Sequence, residues 1–294
     1  MKKKLIALAV ILVSVLIAVA IALAGGDGGL EVAGVPLMLA CAGLAFFVQW
    51  LIFVPSYIFQ TEHYYDLTGS LTYLAVITLA LLASSASLAE AAPRSILLSA
   101  MVFIWALRLG PFLFRRVKRA GKDGRFDEIK PIWSRFLVTW TLQGLWVFVT
   151  LAAALAAITS SRAPDIDSWA IAGGLVWLAG LSIEAIADAQ KTRFNQQEEN
   201  AGKFINIGLW RWSRHPNYFG EIVLWLGVAI VAIPSLQGWQ WVTMISPLFV
   251  VVLLTRISGV PLLEKRADDK WGGQVDYEQY KANTPVLVMR PPAR

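Results

Sequence analysis

Apolar residues fall in long runs along this chain, and the polar residues between them gather in a few short stretches. Crossing the hydrocarbon core of a bilayer as a helix takes about 20 apolar residues. Runs of that kind cover roughly 5–24, 33–59, 70–89, 95–114, 136–158, 168–190, 219–235 and 241–263. In lipid every backbone N–H and C=O needs an internal partner, so such runs are helices rather than strands. The pattern predicts an all-α, polytopic membrane helix bundle of about eight transmembrane helices. The second run is long enough to tilt, or to end in an interfacial turn near Pro55. Extended polar sequence is confined to about 115–135, about 191–218 and the tail after about 264, with no separate soluble domain and no internal repeat.

Charge orients the spans, because Lys and Arg stay on the cytoplasmic side. With the N-terminus inside, the inner segments hold Lys2 to Lys4, eight cations from Arg115 to Arg135, five from Lys191 to Arg214 and seven from Arg256 to Arg294. The outer loops hold only Arg94 and Arg162. Both termini are therefore expected in the cytoplasm, in a bacterial cytoplasmic membrane. The first run follows three lysines and ends Ala22-Leu-Ala-Gly25, so 1–30 is either a first transmembrane helix or a signal-like segment. Residues 31–294 are expected to form a single membrane domain with a cytoplasmic cofactor pocket.

Composition narrows the partners. Hydrophobic residues make up 57% of the chain and charged ones 16%, with a mean hydropathy of +0.59. A soluble domain carries about 25% charged residues, so the surface apolar area here calls for membrane lipids. The net charge of +6 lies in loops on one side of the membrane and does not point to nucleic acid. One cysteine and two histidines exclude a thiolate cluster and argue against a multi-histidine metal site.

Ionisable residues within or beside a span are costly and mark function by default. Glu62, Asp66, Arg108, Glu184, Asp188 and Glu221 are of this kind, all in cytoplasmic halves or ends, where they can line a cavity open to that side. Glu184 and Asp188 are four apart and share a helix face. The alternative is that Arg108 pairs with a carboxylate and locks two helices. The segment Gln60-Thr-Glu-His-Tyr-Tyr-Asp-Leu-Thr-Gly69 is the densest polar cluster beside a span. A phenol near a carboxylate can hydrogen-bond a substrate carbonyl and give it a proton; an interfacial tyrosine belt explains the same residues. The stretch Gly208–Glu221 leads into the seventh run with Arg211, Arg214 and Pro216, the last suited to a first helical turn. Exposed N–H groups at such a start favour an anion, either of a ligand or of lipid headgroups.

Arg214-His-Pro-Asn-Tyr-Phe-Gly-Glu221 resembles the signature of the steroid 5-alpha-reductase-like membrane enzymes, a superfamily that also holds sterol C14 reductases and isoprenylcysteine carboxyl methyltransferases. The tail, with Glu264, Gly272-Gly273, Tyr277-Glu-Gln-Tyr280 and Pro285, is similar to theirs. Gln60–Gly69, Arg108 through Gly121–Phe126, and Leu142-Gln143-Gly144 resemble the bacterial branch, so the resemblance covers roughly 50–290. It implies a cytoplasm-facing NADPH pocket and a Glu/Tyr pair at an enone oxygen. The implied carboxylate is Glu62. Trp105 stands where the family carries its tyrosine, so Tyr64 or Tyr65 takes that role. Asp188, Asn217 and Glu221 match cofactor contacts; Arg193, Arg211 and Arg214 are candidates for the phosphates, with His215, Tyr218, Glu264 and Tyr277 beside them. Trp105, Arg108, Gln143 and Glu184 are left for the substrate pocket.

The expected activity is NADPH-dependent reduction of an enone-like C=C bond in a lipophilic substrate. A Glu62 near the low-dielectric boundary is expected to be neutral and proton-donating. Two alternatives stay open: an S-adenosylmethionine-dependent membrane methyltransferase, and a non-catalytic lipid- or sterol-binding protein.

Overall fold

The computed structural model describes residues 2–292. The chain runs α1 (Lys2–Gly25), a two-residue hairpin β1 (Glu31–Val32) and β2 (Val35–Pro36), then α2 (Leu37–Ile58), α3 (Tyr65–Ala83), α4 (Pro93–Ala120), α5 (Trp133–Thr159) and α6 (Ser168–Gln196). It continues with α7 (Pro216–Ala232), α8 (Ile245–Val252), α9 (Val260–Trp271) and α10 (Val275–Asn283). Among the described residues eight helical segments are long and apolar enough to span a bilayer. Their outward faces carry exposed Leu, Ile, Phe and Trp side chains, Leu12, Phe47, Leu107 and Leu175 among them. The chain is a multi-pass, all-α membrane protein.

Two spans differ from the hydropathy reading. α3 begins at Tyr65, five residues before the apolar run, because a polar first turn still closes helical hydrogen bonds: Thr68 N–H donates to the Tyr64 carbonyl at 2.7 Å. It stops at Ala83, where a serine-rich stretch turns instead. The last span is composite: a 3₁₀ segment Gly238–Met244, α8, a π-turn Leu253–Ile257 and then α9.

Contacts divide the chain into two compact units. The first comprises Met1–Ala170 with Val231–Ser246. α5 is its central post, packed by α1, α2, α3 and α4. The small residues Ala152, Ala153, Ala154, Ala156 and Ala157 of α5 are all buried and let its neighbours come close. A Cβ on Gly144 would stand 3.1 Å from the Phe46 ring and 3.4 Å from the Ala45 carbonyl, so α2 rides on α5 at the Gln143-Gly144 step. α1 buries Ala7, Ser14, Ala18, Ile21 and Ala22 on one stripe. Arg94, counted above as an outer-loop cation, is in fact buried. Its guanidinium donates to the carbonyls of Pro164, Asp165 and Val231 at 3.3, 2.6 and 2.7 Å and pairs with Asp167 at 2.9 Å. It is an internal staple, which explains a cation outside the one-sided charge pattern.

The second unit comprises Ile171–Ile230 with Pro247–Arg294. Here α6 and α7 meet backbone to backbone through glycines, as small residues permit in membrane helices. A Cβ on Gly220 would lie 2.6 Å from the Glu184 amide nitrogen and 2.7 Å from the Gly180 carbonyl. One on Gly227 would lie 2.5 Å from the Trp177 nitrogen. The glycine of the Arg-His-Pro element thus admits a helix. After α9 the chain turns at Gly273, in the left-handed region at φ 82°, into α10. Phe204 sits at the centre of the resulting aromatic cluster, with ring centroids 6.0, 5.2 and 5.3 Å from Trp271, Tyr277 and Tyr280.

Candidate functional site

In the first unit, the segment before α3 is clasped to the connection between α4 and α5. Gly121, at φ 79°, ends α4, and its carbonyl lies 2.8 Å from His63 Nε2. Asp123 N–H donates to Glu62 Oε1 at 3.0 Å, and the Lys130 ammonium pairs with Glu62 Oε2. The Glu62 side chain is 2% exposed. Burial pushes its carboxyl up, but the bonds from Lys130 and Asp123 outweigh that and hold it below its ordinary value. This corrects the expectation of a neutral, donating Glu62: the group is an ionised carboxylate with its oxygens committed.

The two tyrosines separate. Tyr65 is buried among Phe126, Phe136 and Trp140, and its hydroxyl donates to the Thr139 carbonyl at 3.1 Å. Its contact with Glu62 is through backbone, N–H to carbonyl at 2.9 Å, and not through the phenol. Tyr64 is 52% exposed, stacks on Phe114 with centroids 5.9 Å apart, and its hydroxyl makes no hydrogen bond among the described residues. Trp105 is buried edge-on to Tyr73 at 4.9 Å. Gln143 is buried beside Gly69, with Oε1 unpartnered among the described residues. Gln49, which donates to Thr72 Oγ1 at 2.9 Å, leaves its own Oε1 in the same condition. Arg108 is half-buried on α4.

In the second unit, the Arg-His-Pro element is held from several sides. Trp210 Nε1 donates to the Ala187 carbonyl at 3.1 Å, and the Lys191 ammonium lies 4.4 Å over the Trp210 ring. Ser213 Oγ accepts from His215 N–H at 3.1 Å and donates to the Leu287 carbonyl at 2.9 Å. Arg214 N–H donates to the Pro285 carbonyl at 2.9 Å, and the Tyr280 hydroxyl to the Trp210 carbonyl at 2.7 Å. The tail thus wraps the element. Tyr277 spends its hydroxyl on Asp268 at 3.1 Å; burial, then Asp268, push its phenol up, so it stays neutral.

Glu264 joins two members of the element. It lies 2.7 Å from His215 Nε2 and 3.1 Å from an Arg214 terminal nitrogen. Burial pulls the imidazole below its ordinary 6.5, and the pull of Glu264 the other way does not cancel it. A neutral His215 that donates from Nε2 to Glu264 has a lone pair on Nδ1. That Nδ1 is buried and has no partner among the described residues; nor do Arg214 Nε and Asn217 Oδ1. Asn217 Nδ2 donates to Asp188 Oδ1 at 3.3 Å. Tyr218 stacks on His215 at 5.7 Å and packs against Gly259. Glu184 and Asp188 are buried on α6, and Glu221 is half-buried on α7. Arg193 and Arg211 are exposed and in no ion pair among the described residues.

Buried polar groups are nearly always hydrogen-bonded, and exceptions call for an explanation. Three such atoms fall within four residues at the start of α7: one guanidinium donor and two acceptors. This set fits a dinucleotide, whose phosphates take guanidinium and whose carboxamide offers N–H groups. Sequence reasoning missed Lys130, Asp123 and Ser213. Lys130 is 68 residues from Glu62, and no local pattern connects them. Among the described residues no group of three or more His, Cys, Asp or Glu side chains could hold a metal ion.

The family model described as protein of unknown function (DUF1295) matches residues 52–284. A stretch of 87 residues is 31% identical to 3-oxo-5-alpha-steroid 4-dehydrogenase 1 of Bos taurus, covering 28% of this chain and 34% of that protein. The chain therefore spans about a third of the length of the curated relative it matches.

Proposed function

The chain belongs to the DUF1295 family, and from that premise we propose that it is a membrane reductase that uses NADPH to reduce an enone-like C=C bond in a lipophilic, steroid- or lipid-like substrate. The reading includes a bacterial cytoplasmic membrane and cytoplasmic termini, on the one-sided cations. The observation that carries it is the trio of unpartnered buried atoms on Arg214, His215 and Asn217. The partial likeness to a steroid dehydrogenase supports the class of reaction.

NADPH, when bound, supplies the hydride. Arg214, with the exposed Arg193 and Arg211, would hold the phosphates, and Asn217 Oδ1 and His215 Nδ1 are the buried acceptors that would take N–H groups of the dinucleotide. Glu264 keeps the His215 proton on Nε2, and so keeps Nδ1 an acceptor. Reduction of an enone builds charge on its carbonyl oxygen, and a placed donor there lowers the barrier. Tyr64 Oη is assigned that proton, because Tyr65 has spent its hydroxyl and Glu62 has none to give. Trp105, Arg108, Gln143 and Glu184 remain assigned to the substrate.

Titration calorimetry with NADPH and with S-adenosylmethionine, followed by single-turnover oxidation of bound NADPH by enones, tests the reading. NADPH binding is expected, with Tyr64→Phe slowing oxidation about 10²-fold at unchanged affinity. Binding of S-adenosylmethionine alone would make the protein a methyltransferase, and binding of neither would leave a lipid-binding protein.

A further inference from the structure

A cavity of about 390 Å³ opens within the first unit between the starts of α1 and α5. That volume is within the range of small-ligand pockets, roughly 300–1,000 Å³. Lys3, Ile6 and Val10 line it from one face of α1, at helical spacings of three and four. Arg135 and Val138 line it from one face of α5, and Ile129 from the preceding connection. The two helices run the same way, since Leu30 N–H beyond the end of α1 donates to Thr159 O at the end of α5 at 2.7 Å. Their starts therefore share one end. Each helix puts its cation first and its aliphatic side chains further along, which makes a charged mouth over an apolar floor.

The charges at the mouth are of one sign. Neither Lys3 nor Arg135 is in an ion pair among the described residues, whereas nearby Lys130 is committed to Glu62. The hydroxyl that faces the cavity, on Thr139, is already spent on the Arg135 carbonyl at 3.0 Å. The cavity thus offers two cations and aliphatic walls, and it asks for an anion joined to a hydrocarbon chain. We propose that it is a binding site for an anionic glycerophospholipid of the surrounding bilayer. The phosphate sits between Lys3 Nζ and the Arg135 guanidinium, and an acyl chain lies along Ile6, Val10, Ile129 and Val138. The site is separate from the residues assigned to the reduction, so its failure would leave that reading untouched.

Photoactivatable phosphatidylglycerol in phosphatidylcholine vesicles holding the full-length protein tests this, with labelled peptides mapped by mass spectrometry. Labelling is expected on the peptides of Lys3–Val10 and Ile129–Thr139. It should fall roughly five-fold for each of Lys3→Gln and Arg135→Gln, the scale of one basic residue at an anionic surface, and survive Arg135→Lys. Val10→Trp, which fills the floor and leaves both charges, should abolish it; if that variant does not fold, Ala7→Leu fills the same space. Equal labelling by photoactivatable phosphatidylcholine, or full labelling in the filled variant, would overturn the site. Displacement of the label by inorganic phosphate would overturn it too, by making free phosphate the ligand.

Discussion

Glu62 and His215 are both buried ionisable residues in polar segments beside spans, yet their surroundings are opposite. Glu62 itself is fully engaged: Lys130 and the Asp123 amide take both carboxylate oxygens, and Tyr65 beside it has spent its hydroxyl on Thr139. Around His215 the outer shell is complete, with Ser213, Glu264, Asp188 and the tail all engaged, while Arg214 Nε, His215 Nδ1 and Asn217 Oδ1 are left over. Burial alone therefore does not single out a site. A closed network stabilises a fold, and a network with gaps at its centre is shaped for something else to complete.

The sharpest way to break this contrast is at Lys130. Lys130→Met leaves a buried carboxylate without its partner and should cost about 3 kcal/mol, read from unfolding in mixed detergent micelles. Replacing Glu62 by Leu in the same protein should recover most of that loss, since two apolar groups leave no charge to desolvate. A single variant as stable as the parent would mean that the clasp holds nothing.

The reciprocal change is Asn217→Ala. NADPH affinity should fall about ten-fold, the scale of one lost hydrogen bond in a buried site, with little change in unfolding, while Glu62→Gln should alter NADPH affinity not at all. Calorimetry on both variants tests the pair, and a reversed pattern would exchange the roles of the two regions.

Acid separates them further. The folded Glu62 carboxyl titrates below its ordinary 4.5. Its contribution is therefore complete above pH 4.5 and lost as the pH falls through the lower folded value. Thermal unfolding followed down to that range should lose this slope in Glu62→Gln.

His215 should give the smallest effect and at a higher pH. Its folded value lies below 6.5, so the unfolded chain takes up the proton first and stability declines as the pH drops beneath 6.5. Unfolding midpoints above and below that pH should converge in His215→Gln; an equal decline in the variant would assign the titration to another group.

The eight spans were legible in the sequence because membrane insertion reads local apolar length, a property of about twenty consecutive residues. The Arg214–Glu221 element and the Gln60–Gly69 cluster were legible as polar groups where polar groups are costly. What each group does there was not. Glu62 reads as a proton donor until Lys130, 68 residues on, is placed against it. That Gly220 is the place where α6 lies against α7 shows only once α6 is packed there. Arg94 reads as a loop cation until three carbonyls and Asp167 surround it. Hydropathy and helical spacing are set by neighbours along the chain, so the sequence by itself determined the helices and their polar interruptions. Protonation state, hydrogen-bond satisfaction and close helix approach depend on atoms brought in from distant segments, and only the tertiary structure decided them.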